Sequence, residues 1–256
     1  MRKGPRLGMV AVLSAALVVG LLGRAQAVDG AVPAWHPSRL THLGDARQVV
    51  VVTAGSFTTT WATLRTFRRD ATGRWHEQFS PMRARLGSHG FAAPGRRRQH
   101  SGETPSGTYL LRWAFGSAAD PGTALPFRRF DRDDWWPYDR RDPRTYNVYQ
   151  FTRTDTARWR PRLAERLWDF RDQYAYSVVI DYNLPGGVYR AGAERYATRT
   201  ADTGAGGGIF LHVSAPHPTA GCVSVSRAGM RALLRWLDPV AHPRIVMAPT
   251  SVIDSV

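Results

Sequence analysis

Short runs of β-branched and aromatic residues, separated by clusters of Gly, Pro, Asp and Asn, recur along this chain from Arg47 to Ala248. Such runs fit a pleated backbone, where branched and aromatic side chains pack across neighbouring strands. They are too brief for a bundle of long helices. Strands are expected over Arg47–Ala54, which holds the wholly apolar Val49 to Val52, and over Thr58–Arg69, Arg74–Phe79, Met82–Leu86, Thr108–Phe115, Tyr146–Phe151, Tyr176–Asn183, Gly208–Val213 and Arg244–Ala248. Asp70-Ala71-Thr72-Gly73 supplies one of the turns. Two helices are expected. Arg162–Phe170 carries Leu163, Leu167 and Phe170 at helical spacing. Ser226–Leu237 places Met230, Leu233, Leu234 and Leu237 on one face, after a Ser226 cap and before an Asp238-Pro239 stop. A mainly β sandwich or barrel follows.

The 256 residues are 43% hydrophobic, with 24 Gly and 17 Pro. That supplies one core; it is too apolar for a disordered chain and too interrupted for a multi-span membrane protein. At the N-terminus, Arg2, Lys3 and Arg6 precede an uncharged apolar run, Leu7 to Gly23, followed by Ala25-Gln26-Ala27. A basic start, an apolar run and an A-x-A site make a secretory signal peptide over residues 1–27. The alternative is an uncleaved anchor, since the run sits at the short limit for a span; membrane contact is expected through that anchor or not at all. Residues 28–46, punctuated by Pro and His, read as a linker, and 47–250 as the folded domain. The expected location is the cell wall or the extracellular space.

Lys plus Arg number 35 against 20 Asp plus Glu, a net charge of +15. The arginines are scattered, and Arg96-Arg97-Arg98 is the longest run, so a nucleic-acid partner is not expected. An anionic wall polymer suits a positive surface, and a plain solvated basic face explains the same composition. Of eight His, His212 and His217 lie close together with no carboxylate at ligand spacing, so neither a metal nor a cofactor is expected. Trp135-Trp136, with Asp133, Asp134 and Asp139, either lines a sugar or diamino-acid site or packs as an aromatic loop over the sheet.

Cys222 is the one cysteine, which excludes an internal disulfide and a multi-thiolate zinc site. A lone thiol is either a small buried hydrophobe or a reactive group. Its surroundings bear on the choice: a strand ends at His212, a Pro-containing loop follows, and Gly221-Cys222 opens a second short strand. Such a loop can turn an imidazole toward a thiol. A free thiol with pKa ~8.5 is only a few per cent thiolate at neutral pH, so a base that takes its proton is what a cysteine nucleophile needs. Gly221 allows close substrate approach and points main-chain N–H groups at a developing oxyanion.

The segment Gly208–Asp238, an apolar strand ending in His212 with a loop leading to Gly221-Cys222 and another apolar strand, resembles the active-site region of the L,D-transpeptidase (YkuD-like) family of bacterial cell-wall enzymes, its actinobacterial branch most. Gly102-Glu103-Thr104-Pro105-Ser106-Gly107-Thr108-Tyr109 resembles the family's T-P-x-G-x-aromatic element. Asp134-Trp135-Trp136, Tyr146-Asn147 and Val179-Ile180-Asp181-Tyr182-Asn183 resemble its middle region, so the likeness runs from about Val49 to Pro249. It implies a β-sandwich with a few peripheral helices and the thiol in a cleft, Cys222 as nucleophile and His212 as general acid/base, with Gly221 beside them. Ser214, Thr219, Ser224 and Asn183 are the candidate substrate-binding residues, and peptidoglycan stem peptides the implied partner. The sequence departs from the common S/T-H-G-C motif: Ala220 replaces its His, and Ser224 stands where Arg or Asn is usual. Transpeptidation with 3→3 cross-linking is the implied activity; an L,D-carboxypeptidase and a catalytically weak wall-binding module are the alternatives.

Overall fold

The computed structural model describes Met1, residues 35–152, Asp155 and residues 157–256. The signal segment, its cleavage site and residues 28–34 lie outside the described residues. Among those described, no helix is long and apolar enough to cross a membrane.

The chain is mainly β. One ten-stranded sheet contains β1 (Gln48–Ala54), β2 (Trp61–Arg69), β3 (Trp75–Glu77), β4 (Met82–Arg85), β7 (Gly107–Gly116), β8 (Phe127–Arg129), β12 (Ser177–Ile180), β15 (Phe210–Val213), β16 (Val223–Val225) and β17 (Arg244–Pro249). Two short strands, β5 (Phe91–Ala92) and β6 (Thr104–Pro105), pair in parallel. A three-stranded sheet is made of β9 (Asp134–Pro137), β10 (Gln150–Phe151) and β11 (Ala164–Arg166), and β13 (Gly186–Ala191) and β14 (Glu194–Arg199) form a hairpin.

The order of the large sheet is β1-β17-β7-β12-β15-β16-β4-β2-β3, and β1 also pairs with β2. The two layers of the sandwich therefore join into one ladder that closes on itself. Parallel pairing sets Val49 opposite Arg244 on one side of β1, and antiparallel pairing sets it opposite Phe67 on the other. Closure leaves β1 no unpaired edge, which removes a site for sheet-to-sheet aggregation.

The strand period explains the wholly apolar valine run. Side chains alternate across a strand, so Val50 and Val52 enter the central core with Leu64, Leu211 and Ile245. Val49 and Val51 face the other way and pack with Trp35, Leu40, Leu43 and Phe67. Both faces are covered. The segment from Trp35 to Ala46, read above as part of a linker, belongs to the folded body: its apolar residues are buried against β1, and Arg47 N donates to Ala241 O at 2.8 Å.

The one α-helix among the described residues, α1 (Arg227–Trp236), lies where its pattern predicts. Ser226 Oγ accepts from Gly229 N at 3.1 Å, satisfying one of the amides a helix start leaves open. Met230, Leu233, Leu234 and Leu237 are fully buried, each burial stabilising the fold by about 1.5–3 kcal/mol. The helix expected over Arg162–Phe170 is not formed. Pro161–Leu163 and Leu167–Phe170 are single 3-10 turns, and β11 between them pairs with β9. Leu163 and Phe170 are exposed while Leu167 is fully buried, so the three never share one buried face.

Candidate active site

Parallel pairing of β15 with β16 builds the site. It sets Leu211 opposite Val223 and His212 opposite Ser224. Leu211 points into the central core, whereas Phe210 packs with Cys222 in an aromatic cluster that β9 and the Leu167–Phe170 turn help to cover. His212 shares the Phe210 face by the two-residue period. Imidazole and thiol thus stand on the same side of adjacent strands, and both line one cavity of about 850 Å³ together with His217, Thr219, Arg97 and Glu165.

The Gly-Cys turn is held from several directions. Thr219 Oγ1 accepts from Gly221 N at 3.1 Å and donates to the Cys222 carbonyl at 2.6 Å. Gly221 has φ +143°, and a Cβ there would lie 2.8 Å from the Glu103 carbonyl, so only glycine fits. Glu103 O also accepts from Arg97 Nε at 2.9 Å, and Arg97 Nη1 reaches Ala205 O at 2.9 Å. The T-P-x-G segment therefore backs the Gly-Cys turn directly. Because the Gly221 amide is engaged by Thr219, an oxyanion taking that donor must displace this bond.

The thiol accepts from Phe210 N at 3.3 Å and donates to Gly208 O at 3.4 Å. Gly208 is placed by Asn147, whose Oδ1 accepts from Gly208 N at 2.8 Å and from Trp136 Nε1 at 2.7 Å. His212 Nδ1 lies 2.9 Å from the Val213 carbonyl. A carbonyl only accepts, so Nδ1 carries the proton and Nε2 keeps its lone pair.

Burial dominates the electrostatics. It pushes the Cys222 thiol up to about 12; the Phe210 N–H and the Arg97 charge oppose the rise, and Glu165 adds to it. Burial lowers His212 to about 4, with hydrogen bonds to the backbone at Val213 and Gln173 pulling the other way. The resting pair is neutral thiol and neutral imidazole. Among the described residues no group of three His, Cys, Asp or Glu is placed to hold a metal ion.

A family profile, the YkuD L,D-transpeptidase catalytic domain, matches residues 47–247. The chain belongs to that family. No curated protein matches it. Within the YkuD frame the structure distributes the expected site residues unevenly. Cys222, His212, Gly221 and Thr219 line the cavity. Ser224 is fully buried with its hydroxyl unpartnered, Ser214 caps the end of β16 through its amide to Val225 O, and neither lines the cavity. Asn183 holds the glycine loop, donating to Asp202 O and Gly206 O and receiving Asp202 N. Trp136 packs in the core and Trp135 lines the cavity, while Asp134 and Asp139 are paired with Arg128 and Arg160.

Two cavity residues carried no sequence signal of their own. Arg97 stood only as the middle of a three-arginine run, yet it is buried with its guanidinium beside Gly221. It places a cation by the turn in a YkuD chain whose motif lacks the usual Arg or Asn. Glu165 sat inside a segment read as helix; strand pairing instead turns its side chain to the cavity.

Proposed function

We propose that this chain is an exported peptidoglycan L,D-transpeptidase that forms 3→3 cross-links through a Cys222 thioester. One observation carries the reading: within the matched family region, the thiol and the imidazole open onto the same cavity. Cys222 Sγ attacks the carbonyl of the third, L-centred stem residue as its proton passes to His212 Nε2. The tetrahedral intermediate collapses when His212 returns that proton to the departing D-Ala amine, leaving the thioester. The amine of a second stem then attacks the thioester, the new C–N bond forms, and the sulfur leaves and is reprotonated. A neutral resting pair suits this order, because the proton moves only when a substrate carbonyl is in place. Export rests on the segment Arg2 to Ala27, and N-terminal sequencing of secreted protein should begin near Val28.

The direct test is mass spectrometry of the protein with a carbapenem, whose strained ring mimics the acyl donor. One drug mass should be gained, and lost in Cys222→Ser. Incubation with a disaccharide-tetrapeptide should release D-Ala and yield a dimer. D-Ala without dimer would favour the carboxypeptidase. Neither adduct nor D-Ala would favour the wall-binding module.

A further inference from the structure

A carboxyl group without an ionic partner stands in the wall of the Cys222 cavity. Glu165 lies in β11 opposite Trp136 of β9, and its side chain faces the cavity that Cys222 and His212 share. Its Oε1 accepts from Tyr174 OH at 2.8 Å, and among the described residues no other hydrogen bond reaches the carboxyl. Of the three arginines that line the cavity, Arg162 is exposed and the other two are committed elsewhere. Arg166 Nε donates to Arg132 O at 3.0 Å with its guanidinium over Trp135, and Arg97 holds Glu103 O and Ala205 O. Burial raises Glu165 to about 7, and its charge opposes ionisation of Cys222. The acylation half of the reaction gains nothing from such a group.

The second half does. A primary amine with pKa ~10.4 arrives as an ammonium ion, which has no lone pair to attack with. It needs an anion to bind it in a desolvated cavity and a base to take a proton. We propose that Glu165 is the catalytic residue of the acceptor side, binding the primary ammonium of the incoming stem and taking one of its protons. This assignment rests on the transpeptidase reading above. One N–H proton passes from the ammonium to the Glu165 carboxylate, and the freed lone pair forms the C–N bond at the thioester carbonyl. A second N–H proton passes to His212 Nε2, the C–S bond breaks, and His212 returns that proton to the Cys222 thiolate. Water gains nothing from a cation site, so Glu165 favours transfer over hydrolysis.

Glu165→Gln keeps the shape of the side chain and an acceptor for Tyr174. In this variant carbapenem adduct formation and the single-turnover burst of D-Ala should be no slower than in wild type, since the removed charge only opposed ionisation of Cys222, while the ratio of dimer to hydrolysed tripeptide falls by about tenfold or more. Glu165→Asp, which keeps the charge, should recover part of that ratio. A wild-type ratio in Glu165→Gln overturns the assignment, as does joint loss of adduct and transfer, which marks a structural role through Tyr174. Wild-type protein gives a check that needs no variant: a primary alkylammonium should capture the thioester faster than methoxyamine, which is uncharged at pH 7 and the better nucleophile in free solution. The opposite order overturns the assignment. Wild-type protein showing neither adduct nor D-Ala release overturns the transpeptidase reading itself.

Discussion

The ring of Tyr174 stands edge-on to the imidazole of His212, with 5.3 Å between centroids and 86° between planes. The same tyrosine donates its hydroxyl to Glu165. One side chain thus packs on the proposed base and tethers the carboxyl. The ring helps to bury the imidazole, and burial is what holds that histidine neutral.

That arrangement sets opposing pH dependences. His212 is lowered from its ordinary 6.5 to about 4, so the unfolded chain takes up this proton first. Its contribution is full above pH 6.5 and is lost as pH falls toward 4, by about 3 kcal/mol at most. Glu165 is raised from 4.5 to about 7, so the folded chain holds its proton longer, and stability is lost as pH rises through that window. The two partly cancel in the wild type. Glu165→Gln should leave the His212 slope uncompensated, so that Tm rises more steeply between pH 4.5 and 6.5 than in wild type. Calorimetry across that range checks it; parallel curves would contradict it.

A thiol pushed up to about 12 should be a poor target for simple alkylation. At pH 7 its thiolate fraction is roughly a thousandfold below that of a free thiol of pKa ~8.5. Iodoacetamide should therefore label Cys222 far more slowly than free cysteine, although a carbapenem acylates it. Labelling at the free-thiol rate would show the resting pair to be ionised.

Gly221→Ala tests the backing of the nucleophile turn. The new Cβ meets the Glu103 carbonyl at 2.8 Å in a backbone conformation that disfavours side chains. We expect a loss of about 1–3 kcal/mol of stability and an acylation rate lower by about tenfold to a hundredfold. A wild-type rate of adduct formation would mean that the turn tolerates displacement.

Arg97→Met removes two charge-assisted bonds to carbonyls on either side of the site. It should cost about 3 kcal/mol in denaturant unfolding. Arg97→Lys keeps the charge but not the fork, and should retain the thiol environment better than the stability. Equal behaviour of the two variants would remove the charge from the account.

Much of this was legible in the sequence where a single period decides the structure. Val49 to Val52 showed a doubly covered strand, and the stripe from Met230 to Leu237 with Ser226 ahead of it showed α1. The stretch from Arg162 to Phe170 misled because three apolar residues over two turns fit a helix as well as two turns flanking a strand. Backbone pairing of Ala164–Arg166 with β9 decided it, and pairing partners far along the chain leave no local trace. The hairpin of β13 and β14 escaped notice because β13 is largely exposed and neither strand carries a run of apolar alternation. At the site, His212 and Cys222 were readable because neighbouring strands bring them together. Arg97 and Glu165 reach the cavity from distant segments.

The pairing of β1 with both β2 and β17 has a consequence for the order of events during folding. Phe67 is close to Val49 along the chain, but the other partner of Val49, Arg244, lies far downstream. Such distant pairing carries a loop-closure entropy that must be met before the contact contributes, which slows folding. Until Arg244–Pro249 docks, β1 keeps an open edge and Ile245 and Met247 are missing from the core. The strand Arg244–Pro249, not the nucleophile or the helix, is therefore the segment whose docking seals the sheet around its core.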